Sequence, residues 1–145
     1  MSAIDTKLLT GLHRNVASLD RKTAQLAAEY DLTLGQFAVL EVLYSKGKQS
    51  ISRVRDRILS SVGTIPVIVK NLESRDLIER LDDEHDKRVC ILNLTEKGEQ
   101  LIGELAPKNL NMIHEVFSVL SDEEKLELSR LLKKIGRIED AKDNY

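Results

Sequence analysis

Two short apolar runs, Leu77–Leu81 and Val89–Leu94, are separated by Asp82, Asp83, Glu84, His85, Asp86, Lys87 and Arg88. Runs of this length around a polar break read as the two strands of a hairpin. Unpaired charges resist burial, so the tip of that hairpin must stand in solvent. Directly upstream, Ser60–Glu73 reads as a short helix in which Ile65, Ile68, Val69 and Leu72 form one apolar stripe. Gly63, Thr64, Pro66, Val67, Lys70 and Asn71 are left facing outward. Pro66 constrains the start of this helix, because proline lacks an N–H and fits only the first turn. The N-cap therefore falls near Gly63 or shortly before. The competing phase rotates the helix and puts Val67 in the core.

The flanking segments supply more helices. Ile4–Tyr30 reads as one long helix, with Leu8, Leu12, Val16, Leu19, Thr23 and Leu26 at steps of three and four and Asp5 as N-cap. Its stripe is longer than a small domain needs, which points to partner helices from a second chain. Thr33 and Gln36 form a capping box for a helix carrying Phe37, Leu40, Val42 and Leu43, closed by Gly47. Ile51 is expected to pair briefly with the hairpin. Ser52 is expected to cap a helix through Leu59, with Val54 and Ile58 inward, and Ser60 and Ser61 to turn the chain. Thr95 caps the next helix, which Pro107 should break or kink near Glu104–Ala106. Ser121–Glu124 is another capping box, opening a last helix with Leu128, Leu131, Leu132, Ile135 and Ile138 on one face. The tail from Ala141 should fray. The expected fold is mostly α with a small β-wing. Two short helices, the second presented outward beside a charged hairpin, make a winged helix-turn-helix.

A chain of 145 residues fits one domain, or a domain with extensions. No apolar run approaches ~18 residues and no apolar signal core follows Met1, so a cytoplasmic protein without membrane contact is expected. The single cysteine excludes an internal disulfide and fits a reducing compartment. A net charge of -2 argues against a general polyanion binder. The charge is nevertheless segregated. Lys46, Lys48, Arg53, Arg55, Arg57, Lys70 and Arg75 stand against only Asp56 and Glu73 between residues 46 and 75. That is a footprint for nucleic acid, or else an ordinary solvated basic surface.

The runs LTLGQFAVLEVL and LESRDLIERLDDEHDKRVCILNLTEKG resemble the MarR family of bacterial transcriptional regulators. Asp86-Lys87-Arg88 stands where that family carries its Asp-x-Arg wing signature, and Leu94–Gly98 matches its exit from the wing. The resemblance implies a homodimer held by residues 1–30 and 107–145, with residues 31–106 as the DNA-binding lobe. It implies a transcriptional regulator that responds to a small ligand or a stress signal, most often a repressor, on an imperfect palindrome of double-stranded DNA. It also implies a small aromatic or phenolic effector, with His13, Arg14 and Tyr44 as candidate pocket residues. The ordinary reading of each of the three is surface or core packing.

The expected DNA contacts are Ser61, Gly63, Thr64, Pro66, Val67, Lys70, Asn71, Asp86, Lys87 and Arg88. Many family members carry a polar or basic residue where this chain has Val67. Here the outward set implies thymine-methyl contacts, hydrogen bonding by Thr64 and a large share of shape readout. Lys70 and Asn71, further along, suit phosphates. Arg88 resembles the family's minor-groove arginine. A carboxylate two residues away, Asp86, can hold its guanidinium in place. Lys87 can add a phosphate contact. Asp82, Asp83 and Glu84 repel DNA, so they must point away or the tip must move.

Cys90, between Val89 and Ile91, reads as a small buried hydrophobe, not as the main switch. His13, His85 and His114 fall in no metal-ligand spacing, so no metal or cofactor is expected. No phosphate loop, GxSxG elbow or paired-carboxylate frame is present, so no enzyme is expected. The alternative function is a winged-helix protein–protein module without DNA affinity, which the acidic wing tip would suit.

Overall fold

The structure is a computed structural model that describes residues 2–58 and 63–136. Among them are helices α1 (Ala3–Ala28), α2 (Leu34–Lys46), α3 (Ile51–Arg57), α4 (Ile65–Ser74), α5 (Glu96–Phe117) and α6 (Asp122–Gly136). Three strands accompany them, β1 (Gln49–Ser50), β2 (Ile78–Asp82) and β3 (Cys90–Leu94). The chain divides into two compact units, Met1–Leu110 and Asn111–Tyr145.

In the first unit the core is the apolar stripe of each short element turned to one centre. Leu40 and Val39 of α2, Val54 of α3, Val69 and Leu72 of α4, Leu92 of β3, and Ile102 and Leu105 of α5 are all fully buried. The sheet is antiparallel in the order β1-β3-β2, with Gln49 opposite Leu92 and Ile78 opposite Leu94. Only its inner face is covered. Ile78 is buried, whereas the rest of β2 is exposed.

Local capping chemistry sets the helix starts. Thr33 accepts the Gln36 N–H at 3.2 Å while the Gln36 amide oxygen accepts the Thr33 N–H at 3.0 Å. Gly47, at φ 76°, closes α2. α1 is capped by Ser2 and not by Asp5. Asp5 sits three residues in and accepts the Ser2 N–H, completing a capping box. Likewise Ser50, not Ser52, caps α3 by accepting the Arg53 N–H at 3.2 Å. Ile51 is therefore the first residue of the helix, and Gln49–Ser50 is the segment that pairs with β3. α3 ends at Arg57, with Ile58 extended. Leu59, Ser60, Ser61, Ile138 and the tail from Ala141 lie outside the described residues.

α5 begins where Thr95 does two things at once. Its hydroxyl accepts the Gly98 N–H at 3.0 Å and donates to the Asp76 carbonyl at 2.6 Å. The first turn of α5 is thereby seated on the turn that leads into β2. Gly98 is buried there, and a Cβ on it would lie 2.9 Å from the Leu77 carbonyl carbon and nearer still to its oxygen. Only glycine allows this approach.

Pro107 does not break α5, which runs unbroken from Glu96 to Phe117. Proline costs the helix one hydrogen bond, to the carbonyl four residues earlier. The turns on either side are held by other contacts. Leu105 is buried. The Thr23 hydroxyl donates to the Asn109 side-chain carbonyl at 2.8 Å, and the Lys108 ammonium donates to the Tyr30 hydroxyl at 2.6 Å. Thr23, a polar residue in the apolar stripe of α1, is buried because it has that partner.

Arg75, at the end of α4, donates to the Asp31 carbonyl at 2.6 Å and to the Tyr30 carbonyl at 3.4 Å. It ties α4 to the turn between α1 and α2, so it belongs to the scaffold and leaves the basic footprint. An Arg75→Ala protein is expected to lose about 1–2 kcal/mol, the weight of charged hydrogen bonds that are partly solvated. Urea unfolding checks this through a lower midpoint at constant slope. An unchanged midpoint would show that the tie is idle.

In the second unit, Ser121 and Glu124 exchange backbone and side-chain hydrogen bonds at 2.9 and 3.1 Å and open α6. No residue of α6 is buried. No helix among the described residues is long and apolar enough to cross a membrane.

Candidate nucleic-acid interface

α4 has the phase that its apolar spacing predicts. Ile65, Ile68, Val69 and Leu72 are buried. Gly63, Thr64, Pro66, Val67, Lys70 and Asn71 are all exposed. Val67 is 57% exposed, which rules out the rotated phase with this residue in the core. The helix begins slightly later than expected. Gly63 has φ 87°, a left-handed conformation that cannot join a right-handed helix, so Thr64 takes the N-cap. Pro66 is then in the first turn, where its missing N–H is harmless. The side chain of Thr64 makes no cap hydrogen bond. Ser2, Thr33, Ser50, Thr95 and Ser121 all accept one from the helices they open.

The wing holds Arg88 in a defined pose. Its Nε donates to Asp86 Oδ1 at 3.1 Å, its Nη2 to Oδ2 at 3.3 Å, and its backbone N–H to Oδ1 at 3.0 Å. The Arg88 side chain is still 91% exposed. These bonds hold the Asp86 carboxyl below the usual carboxylate range, so the clamp stays ionised at neutral pH. The contribution of such a depressed carboxyl is present above its unfolded pKa and lost as pH falls through the folded one. The clamp therefore loosens only in acid.

The acidic residues of the tip have separate uses. Asp83 accepts the Asp86 N–H at 3.0 Å and so shapes the turn that presents Arg88. Asp82 continues β2 opposite Cys90. Glu84, His85 and Lys87 are exposed. Glu73, the acidic residue of α4, pairs with Arg80 at 3.2 Å. Lys48, Arg53, Arg55 and Lys70 remain exposed around α3 and α4. Sequence reasoning counted Arg75 with them, because a contact to carbonyls forty-odd residues away leaves no local mark.

Cys90 is half-buried and packs against the core. His13 and Arg14 are exposed on α1, and His114 is exposed on α5. Tyr44 is 45% exposed on α2, and its hydroxyl lies 3.8 Å from where a side chain at Gly103 would start. His13, Arg14 and Tyr44 thus stand on two different helices. Among the described residues no three His, Cys, Asp or Glu side chains are placed to hold a metal.

Residues 21–105 match the family described as "Transcriptional regulator SarA/Rot". The HTH-type transcriptional regulator MhqR of Bacillus subtilis (strain 168) is 35% identical over 136 residues, 94% of each chain. Among solved structures, AbsC of Streptomyces coelicolor, a MarR family transcriptional regulator, aligns with a TM-score of 0.83 at 20% identity, over 94% of this chain and 95% of that one. BpsR of Bordetella bronchiseptica, whose DNA binding is regulated by 6-hydroxynicotinic acid, gives 0.76 at 25% identity, over 90% of this chain and 98% of that one.

Proposed function

The chain belongs to the MarR family of winged-helix, DNA-binding transcriptional regulators, and from that premise we propose that it is a homodimeric repressor released by a small aromatic ligand. The observation that carries the proposal is a pair of exposed features in one compact unit, the Asp86–Arg88 clamp on the wing and the outward face of α4. An exposed arginine held by a carboxylate is preorganised for a narrow, negative groove. An exposed helix face in the same unit suits the major groove. Ser61, Gly63 and Thr64 ahead of α4 in the chain, and Pro66, Val67, Lys70 and Asn71 within it, are proposed contacts, with Asp86, Lys87 and Arg88 from the wing.

Apolar surface that the single chain leaves in water supports the dimer. On α1, Ile4, Leu8, Leu9 and Val16 are each more than half exposed. On α6, Leu131, Leu132 and Ile135 are exposed. Helices this apolar need partners. Residues 1–30 and 107–145 are the proposed dimerisation region, and residues 31–106 the reading lobe. A two-fold axis then presents two copies of α4, matching an imperfect palindrome. Light scattering is expected to give twice the 16.4 kDa chain mass at micromolar concentration. A monomer there would remove the dimer from the proposal.

The aromatic acid that regulates BpsR supports a ligand of that class, or a phenol, with His13, Arg14 and Tyr44 as contacts. Such a ligand acts by binding better to a dimer whose α4 spacing does not fit DNA. A regulator of this kind works in the cytoplasm, where its operator is. Selection of bound duplexes from a random pool tests the proposal. The expected product is an imperfect palindrome with half-sites one helical turn apart. A pool that is never enriched would favour a winged-helix protein–protein module instead.

A further inference from the structure

Resting on the reading of α4 as the DNA-reading helix, we propose that Val67 sets operator sequence by packing on the C5-methyl group of one thymine in each half-site. Three observations lead there. Val67 is 57% exposed between the buried Ile65 and Ile68, so its branched side chain points out of the protein. Its neighbours on that surface, Gly63, Thr64 and Pro66, are exposed too, and none offers the paired donors or acceptors that distinguish guanine or adenine. The Thr64 hydroxyl is the polar group of this set, and it makes no cap bond.

The chemistry of the groove narrows the choice. On the major-groove floor thymine alone carries an apolar group, its methyl. A valine set among hydrogen-bonding base edges desolvates them without replacing their partners, which is unfavourable everywhere except against that methyl. Exposed cations accompany Val67 in the same unit. Lys70 lies one turn further along α4, and Arg53 and Arg55 are exposed on α3. That charge suits a phosphate backbone and does not suit an apolar protein partner.

The test uses a selected operator in which each thymine is replaced by deoxyuridine, symmetrically in both half-sites. The swap removes a methyl and keeps every hydrogen-bonding group. One position is expected at which the swap weakens wild-type binding about fourfold per half-site, the weight of one buried methyl-sized group. The Val67→Ala protein should bind the thymine operator more weakly and lose nothing further at that position. Its melting temperature should match wild type, because the side chain is exposed. A penalty of equal size in both proteins, or no uracil-sensitive position, would show that DNA is bound but Val67 does not read it. A protein that enriches no duplex at all would overturn the DNA-reading assignment, and this inference with it.

Discussion

A Gly98→Ala protein is expected to lose about 2–4 kcal/mol of unfolding stability, although alanine is the better helix former by about 1 kcal/mol. The added carbon meets backbone, the Leu77 carbonyl, and not the end of a side chain that could swing away. That carbonyl is fixed. It accepts the Thr95 N–H at 3.2 Å, and Leu77 itself is fully buried. Relief would need α5 to lift from the turn before β2, breaking the Thr95 bonds to the Asp76 and Leu77 carbonyls. Gly103 is the internal control. It lies in the same helix, and a Cβ there meets only the Tyr44 hydroxyl at 3.8 Å. Gly103→Ala should be neutral or stabilising by about 0.5–1 kcal/mol. Urea unfolding of the two variants should move in opposite directions. Equal midpoints would mean that the α5–β2 seat is softer than the geometry shows.

The other large effect concerns binding. Arg88→Ala should cost on the order of 1–3 kcal/mol of affinity in each half-site, and so twice that for a dimer on its operator. The salt dependence should become shallower where the arginine displaces counterions. Arg88→Lys keeps the charge and loses the fork that Asp86 grips, so it should recover only part of the affinity. Asp86→Ala should cost less, because it frees the arginine without removing it. Folding should barely respond to Arg88→Ala, given how little of that side chain is covered. Titration of one selected operator by all four proteins gives the ranking. An Arg88→Ala dimer that binds as tightly as wild type would show that the wing makes no energetic contact.

Much of this was readable in the sequence because it is local or periodic. The stripe Ile65, Ile68, Val69 and Leu72 determines both the buried face of α4 and, by subtraction, its outward one. The Thr33–Gln36 and Ser121–Glu124 boxes close over three residues, so spacing alone locates them. Other ends were ambiguous for the same local reason. Ser50 and Ser52 can each cap a helix, and the choice is made by β1 pairing with β3, a contact across forty residues. Ser2 and Asp5 both carry capping groups and share the work.

What was hidden is tertiary. Arg75 looks like a member of the basic face until its distant carbonyl partners are placed. Gly98 reads as an ordinary helix glycine until Leu77 is set against it. Pro107 signals a break that packing of α5 against Tyr30 and Thr23 overrides. Of the candidate site, the wing clamp was legible because Asp86-Lys87-Arg88 resembles the family's wing signature and its two partners are close enough in sequence to bond locally. The silence of the Thr64 side chain was not, since threonine at an N-cap ordinarily bonds the helix it opens.

The central claim is that α4 and the wing read DNA sequence. Its most direct measurement compares a selected operator with a scrambled duplex of the same length and composition across a series of salt concentrations. The expected result is a linear fall of log affinity with log salt on both duplexes, with the operator bound at least ~10³-fold more tightly throughout. Equal affinity for the two duplexes, or binding indifferent to salt, would contradict it.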